Sequence, residues 1–88
     1  DTAVIKELMI LNRGEASLNE LELPKNYKFH GKTLSELKLP VESIIVSIFR
    51  DGSLIIPRGN TQLLSGDRMV VMCKSQAMHE LSRRLELQ

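Results

Sequence analysis

IIVSIFRDGSLIIP, residues 44–57, is the stretch that decides the fold. Two apolar, β-branched runs flank Asp51-Gly52. Asp-Gly supplies the positive φ that a type I′ turn needs, and that turn carries the twist of an antiparallel hairpin. The turn sets a register in which Arg50 faces Ser53, Phe49 faces Leu54, Ile48 faces Ile55, Ser47 faces Ile56 and Val46 faces Pro57. Because side chains alternate along a strand, one face carries Val46, Ile48, Ile55 and Pro57, with Arg50 at its tip. The other carries Ile45, Phe49, Leu54 and Ile56. An antiparallel sheet in a small domain normally buries one face, so the second apolar face calls for a helix, a ligand or another chain.

Upstream of the hairpin, Thr33-Leu34-Ser35-Glu36 fits a capping box, in which the threonine hydroxyl caps a helix and Glu36 reaches back. The short helix has Leu34 and Leu37 on one side and ends before Pro40, which disfavours helical geometry at Leu39. Lys25 to Gly31 reads as a loop holding Tyr27, Phe29 and His30. Ser17 to Pro24 (SLNELELP) alternates, with one slip, as a half-exposed strand ended by proline. Asp1 to Asn12 has apolar residues at 4, 5, 8, 9, 10 and 11 and reads as a helix turn leading into a strand. A polar break, Arg13 to Ala16, follows it. Downstream, Arg58 to Thr61 and Ser65 to Asp67 are turns. Arg68 to Lys74 (RMVVMCK) is a continuous apolar strand, as expected for burial on both faces. Ser75 is placed to cap a last helix reaching about Leu87, with Ala77, Met78, Leu81 and Leu85 inward and Glu80, Arg83 and Arg84 outward. The order β-α-β-β-β-α predicts an α+β sandwich, a mostly antiparallel sheet covered by two helices.

Composition narrows the function. The chain has 88 residues with a net charge of +1, enough for one domain and without the basic footprint of a nucleic-acid binder. Tyr27, Phe29 and Phe49 are its only aromatics, too few for a base-stacking platform. Cys73 is the only cysteine, which excludes an internal disulfide and a cysteine metal cluster; in the buried-strand pattern it reads as a core thiol, and Met69, Met72 and Met78 read as core filler. His30 and His79 lack a second ligand at metal spacing and read as solvated. Gly66-Asp67 precedes a strand, whereas a phosphate loop leads into a helix. No carboxylate pair or activated nucleophile is evident, so no catalytic residue and no metal site is expected. No apolar run approaches the roughly 20 residues of a membrane span, and no secretory signal is read. The chain opens on Asp, and the expectation is a segment of a longer protein.

In sequence order, Gly31-Lys32-Thr33-Leu34, Arg50-Asp51-Gly52, Ile56-Pro57, Asn60-Thr61-x-Leu63 and Gly66-Asp67-Arg68-Met69-Val70 resemble the TrkA-C family, the C-lobe of RCK (regulator of conductance of potassium) proteins. The match runs from about Ser17 to Leu85. It implies a TrkA-C-like ligand-sensing domain over 17–88, with 1–16 a linker or N-terminal extension. Members of this family are attached to potassium uptake systems, cation/proton antiporters, chloride-channel-like transporters or, occasionally, transcription regulators. They commonly dimerise with a ligand cleft at the two-fold interface, where some bind cyclic di-AMP. Carried onto this chain, the cleft residues are Leu39, Pro40, Val41, Ile44 and Ile45, then Arg50 and Pro57. Ligand-binding relatives often carry an arginine near the helix end, where Pro40 stands here.

Read from their own positions, Arg50 is either a phosphate or carboxylate contact or an exposed turn arginine, and Arg58 either reaches a phosphate across a dimer cleft or is solvated. The resemblance and the two-faced hairpin together imply a cytoplasmic regulatory, ligand-binding and dimerising module of a bacterial cation (potassium or proton-coupled) or chloride transporter. Its expected partners are a second copy, a membrane transporter or channel domain and a small molecule, with no nucleic acid. The alternatives are a ligand-free structural dimerisation domain and the effector domain of a transcription regulator. An enzyme is not expected.

Overall fold

The hairpin reverses at Asp51-Gly52, where φ is 49° and 78°, and Arg50–Ser53, Phe49–Leu54 and Ile48–Ile55 are partners. The computed structural model describes residues 4–87. Its elements are β1 (Val4–Leu11), β2 (Ala16–Glu22), α1 (Leu34–Leu37), β3 (Ser43–Arg50), β4 (Ser53–Ile55), β5 (Arg68–Lys74) and α2 (Met78–Arg84), with single 3-10 turns at Asn12–Gly14 and Ser75–Ala77. The strands form one sheet in the order β1-β2-β5-β3-β4, antiparallel throughout. The expected α+β class, an antiparallel sheet with two helices, is the one observed.

Several local expectations are corrected. The hairpin ladder ends at Ile55, so Ser47–Ile56 and Val46–Pro57 are not formed; Pro57 has no N–H to donate to a ladder. Ile45 and Ile48 do not lie on opposite faces. Ile45 pairs with Val71 and Ser47 with Val70, leaving Val46 as an extra residue. This bulge resets the alternation, so both isoleucines enter the core. The slip in β2 resolves with Asn19, Leu21 and Leu23 buried; the amide of Asn19 is satisfied by donating to Ser17 Oγ at 2.8 Å. β5 is buried on one face only, through Met69, Val71 and Cys73, while Met72 is exposed. Met69 is thus core, Met78 packs against the core and Met72 does not fill it. Within 1–16, residues 1–3 lie outside the described residues, Val4 to Leu11 is strand throughout and not a helix turn leading into one, and β1 pairs along its length with β2. Ser75 does not cap α2: its hydroxyl donates to the Gly14 carbonyl.

One face of the sheet carries the core. Leu21, Ile45, Ile48, Met69, Val71 and Cys73 meet Leu37 from α1 and Ala77, Leu81 and Leu85 around α2, with Leu23, Tyr27, Leu63 and Leu87 closing the margins. The capping box of α1 is present in full: the Glu36 amide donates to Thr33 Oγ1 at 3.2 Å and the Thr33 amide to Glu36 Oε1 at 2.9 Å. The Thr33 amide and hydroxyl, both donating to Glu36 Oε1, hold the Glu36 carboxyl below its ordinary range. Lys38 then turns left-handed, with φ of 50°, and ends the helix. The opposite face of the sheet has no covering layer among the described residues. A row of partners, Met9–Leu18–Met72–Ile44, crosses it, and Val46 and Leu54 are exposed beside it.

Candidate functional site

The segment 58–61 is the hinge of the site. The Leu34 amide donates to Thr61 O and the Ser35 amide to Gly59 O, at 3.0 and 2.9 Å. The first orphan donors of α1 are thereby spent on this loop, which brings the loop against the helix. The approach is close enough that a Cβ on Gly59 would sit 2.5 Å from Ser35 Oγ. Between loop, helix and β3 lies a groove of about 330 Å³, lined by Leu34, Ser35, Leu39, Ser43, Ile44, Ile45, Pro57, Arg58 and Gly59.

Of the residues expected from sequence, Leu39, Ile44, Ile45, Pro57 and Arg58 line this groove. Val41 lies next door. It is 97 % exposed and, with Ala16, Ile44 and Met72, lines a second hollow of about 290 Å³ on the open side of the sheet. Pro40 connects the two, and its carbonyl accepts the Ser43 amide and hydroxyl. Arg50 lines neither hollow. Its Nε donates to Asp67 Oδ1 at 2.8 Å, and its Nη2 to Asp67 Oδ2 at 2.7 Å and to Gln62 O at 2.8 Å. This is a two-pronged guanidinium–carboxylate fork, and hydrogen bonding to Asp67 raises the Arg50 pKa further. Asp67 also accepts the Leu64 amide at 2.8 Å, so the "GD" turn holds an ionic anchor that a local reading assigns to the turn alone.

The groove has a mixed lining: aliphatic side chains, the serines Ser35 and Ser43, and one cation, Arg58. Arg58 is exposed and makes no ion pair among the described residues. Ser35 offers a hydroxyl, whereas that of Ser43 is committed to Pro40. Such a site suits a flat apolar or aromatic group that also carries an anion. Sequence reasoning missed Ser35 and Gly59. Their signal was the helix start itself, whose unpaired donors require a partner segment. Cys73 is buried, and burial raises its thiol pKa. No cluster of His, Cys, Asp or Glu able to hold a metal occurs among the described residues, and no helix there is long and apolar enough to cross a membrane.

Comparison with known proteins identifies the class. The profile of the TrkA-C domain matches residues 18–86. The chain belongs to the TrkA-C family. A Trk system potassium uptake protein TrkA from Mycobacterium tuberculosis is 36 % identical over 78 residues, which is 89 % of this chain and 36 % of that protein. A putative Na(+)/H(+) antiporter, YjbQ, from Bacillus subtilis is 34 % identical over 79 residues, 90 % of this chain and 13 % of that protein. The chain therefore spans little more than a third, or less, of these relatives. Among solved structures, an RCK domain described as "with cda" superposes with a TM-score of 0.61 at 33 % identity, covering 75 % of this chain and 96 % of that one. The GsuK RCK domain shares the fold at a TM-score of 0.77, 20 % identity and 96 % coverage of this chain, which matches 18 % of that structure. A TrkA-C domain is a regulatory part of transport systems, and this is the coarse function the family assigns.

Proposed function

We propose that this TrkA-C domain is a cytoplasmic, ligand-binding and dimerising regulator of a bacterial cation transporter or channel, potassium or proton-coupled, or of a chloride transporter. In this reading it is a binding module and not an enzyme, and it does not engage nucleic acid. Residues 17–88 are the sensing unit, and 1–16 are an N-terminal extension, of which Val4–Leu11 adds a strand to the sheet.

The observation that carries the proposal is the groove. A groove of aliphatic side chains and serines with one guanidinium that makes no ion pair among the described residues fits half of a ligand better than a whole one. Its volume sits at the lower end of the range for small-molecule pockets, and it is open. A second copy related by a two-fold axis would double both groove and cation. A ligand with two bases and two phosphates, such as cyclic di-AMP, matches that symmetry, and a 33 % identical structure is described as an RCK domain "with cda". Leu39, Pro40, Val41, Ile44, Ile45, Pro57 and Arg58 are the proposed ligand-facing residues; Arg50, which the resemblance also places in the cleft, is engaged by Asp67 and the Gln62 carbonyl. Binding across the two-fold would favour one arrangement of the two lobes and shift the attached transporter by population.

The test is a thermal-shift titration with cyclic di-AMP, other nucleotides and simple ions, paired with light scattering. A ligand at a hundredfold its Kd stabilises by about 2.7 kcal/mol, a shift easily seen. No shift with any probe, together with a monomer at all concentrations, would end this reading. A dimer that no ligand stabilises would support the structural-dimer alternative, which the proline at position 40, where relatives often carry arginine, favours.

A further inference from the structure

The turn at 58–61 is closed on itself in both directions. The Arg58 amide donates to Thr61 Oγ1 at 2.9 Å, and the Thr61 amide donates to Arg58 O at 3.0 Å. The turn is docked on α1 as well, because Thr61 O and Gly59 O accept the Leu34 and Ser35 amides. Pro57 precedes it and fixes its own φ. Arg58 therefore leaves the chain between two locked points, with its amide and its carbonyl both bonded. Those bonds constrain its φ and ψ, and with them the direction of its Cα–Cβ bond. Its guanidinium is not committed in the same way. It makes no ion pair among the described residues, and Arg58 lines the groove.

The Thr61 hydroxyl is not there to rescue a buried donor. Its bond to the Arg58 amide lies at an exposed position, where water would satisfy the amide and the net gain in stability is small. What the hydroxyl adds is a fixed backbone beneath a side chain whose charge is unspent. Threonine suits this task, since its branched Cβ limits χ1 and keeps Oγ1 on the amide. We infer that Thr61 is a positioning residue: it directs the Arg58 guanidinium toward the groove to meet a phosphate-bearing ligand. The inference rests on the reading of the groove as a ligand site and goes beyond it, since Thr61 is not among the groove's lining residues. A guanidinium holds a phosphate through two parallel hydrogen bonds, so a misdirected side chain loses one of them. Ordering a long side chain on binding also costs affinity, and a backbone ordered beforehand removes part of that cost. The contribution of Thr61 to binding is therefore exerted only through Arg58.

The test uses the 88-residue chain in two arms: amide relaxation without ligand, and calorimetric titration with cyclic di-AMP as the probe. In the parent, the Arg58 amide should show the order parameter of rigid backbone, about 0.85, and in Thr61→Val it should fall below about 0.6. Thr61→Val should raise the Kd for cyclic di-AMP about three- to tenfold. Thr61→Ser, which keeps the hydroxyl, should restore the parent value. In the Arg58→Ala background, Thr61→Val should change the Kd no further, a result that a merely structural role would not give. An Arg58 amide equally ordered in the parent and in Thr61→Val, or a loss of the same size with and without Arg58, would overturn the inference. If Arg58→Ala weakens binding and Thr61→Val does not, the groove reading stands and the role of Thr61 falls. If Arg58→Ala binds as the parent does, the anion contact is elsewhere and the inference falls. If the parent binds no cyclic di-AMP, the groove reading fails, and the phosphate-directing role of Thr61 fails with it, whatever the relaxation arm shows.

Discussion

Arg50 and Asp67 are seventeen residues apart, yet each exists in its present state because of the other. Asp67 is 1 % exposed and Arg50 23 % in their side chains. Removing the guanidinium strands a buried carboxylate, which costs far more than losing a surface pair. Arg50→Met should lower stability by about 3 kcal/mol in urea unfolding. Arg58→Met, at an exposed position, should stay within about 0.5 kcal/mol. Equal losses would contradict the assignment of Arg50 to structure. Tyr27 is the second residue with a decided role. Its hydroxyl donates to the Leu85 carbonyl at 2.8 Å, and burial, helped by the charge of Glu86, raises its pKa well beyond the phenol range. The folded state holds this proton more tightly than the unfolded one. The associated stability is complete below the ordinary tyrosine value and declines as pH rises above about 10. Tyr27→Phe should cost about 1 kcal/mol at neutral pH and remove that alkaline decline, as read from urea midpoints on either side of the transition.

At the level of elements, local signals were strong wherever the determinant was local. The Asp51-Gly52 turn and the Thr33–Glu36 capping box are each specified within four residues, and both formed. Gly52 holds a φ of 78°, so Gly52→Ala should cost about 1 kcal/mol. Thr33→Ala should cost a similar amount, about 1 kcal/mol. Both are readable in thermal or urea unfolding, and a neutral outcome for Gly52→Ala would contradict the I′ geometry. The bulges at Val46 and Leu8 were not legible, because each is a mismatch in length between a strand and its partner. Residues 4–11 have apolar spacing compatible with a helix turn as well as a strand; pairing with β2 settled the choice. Ser75 looked like a helix cap, but β2's approach offered its hydroxyl the Gly14 carbonyl.

Across the whole molecule, one side of the sheet is closed by two helices and the other is open. The hollow at Val41 follows from that asymmetry. Arg58, which makes no ion pair among the described residues, gives a prediction at this scale: Arg58→Ala should leave the unliganded midpoint unchanged and lose most of the shift that the proposed binding of cyclic di-AMP gives. A retained shift would move the anion contact elsewhere.

The order of residues alone determined the hairpin and its turn, the helix start, the inward side of α2 and the family motifs, since each depends on backbone preferences or side-chain spacing over a few positions. Only tertiary structure decided that Arg50 forks onto Asp67, that Ile45 joins Ile48 in the core, that β5 is covered on one side and that five strands lie as β1-β2-β5-β3-β4. Those outcomes depend on which distant segments meet. Solvent exclusion on one face and the pairing of backbone groups between strands choose that arrangement collectively.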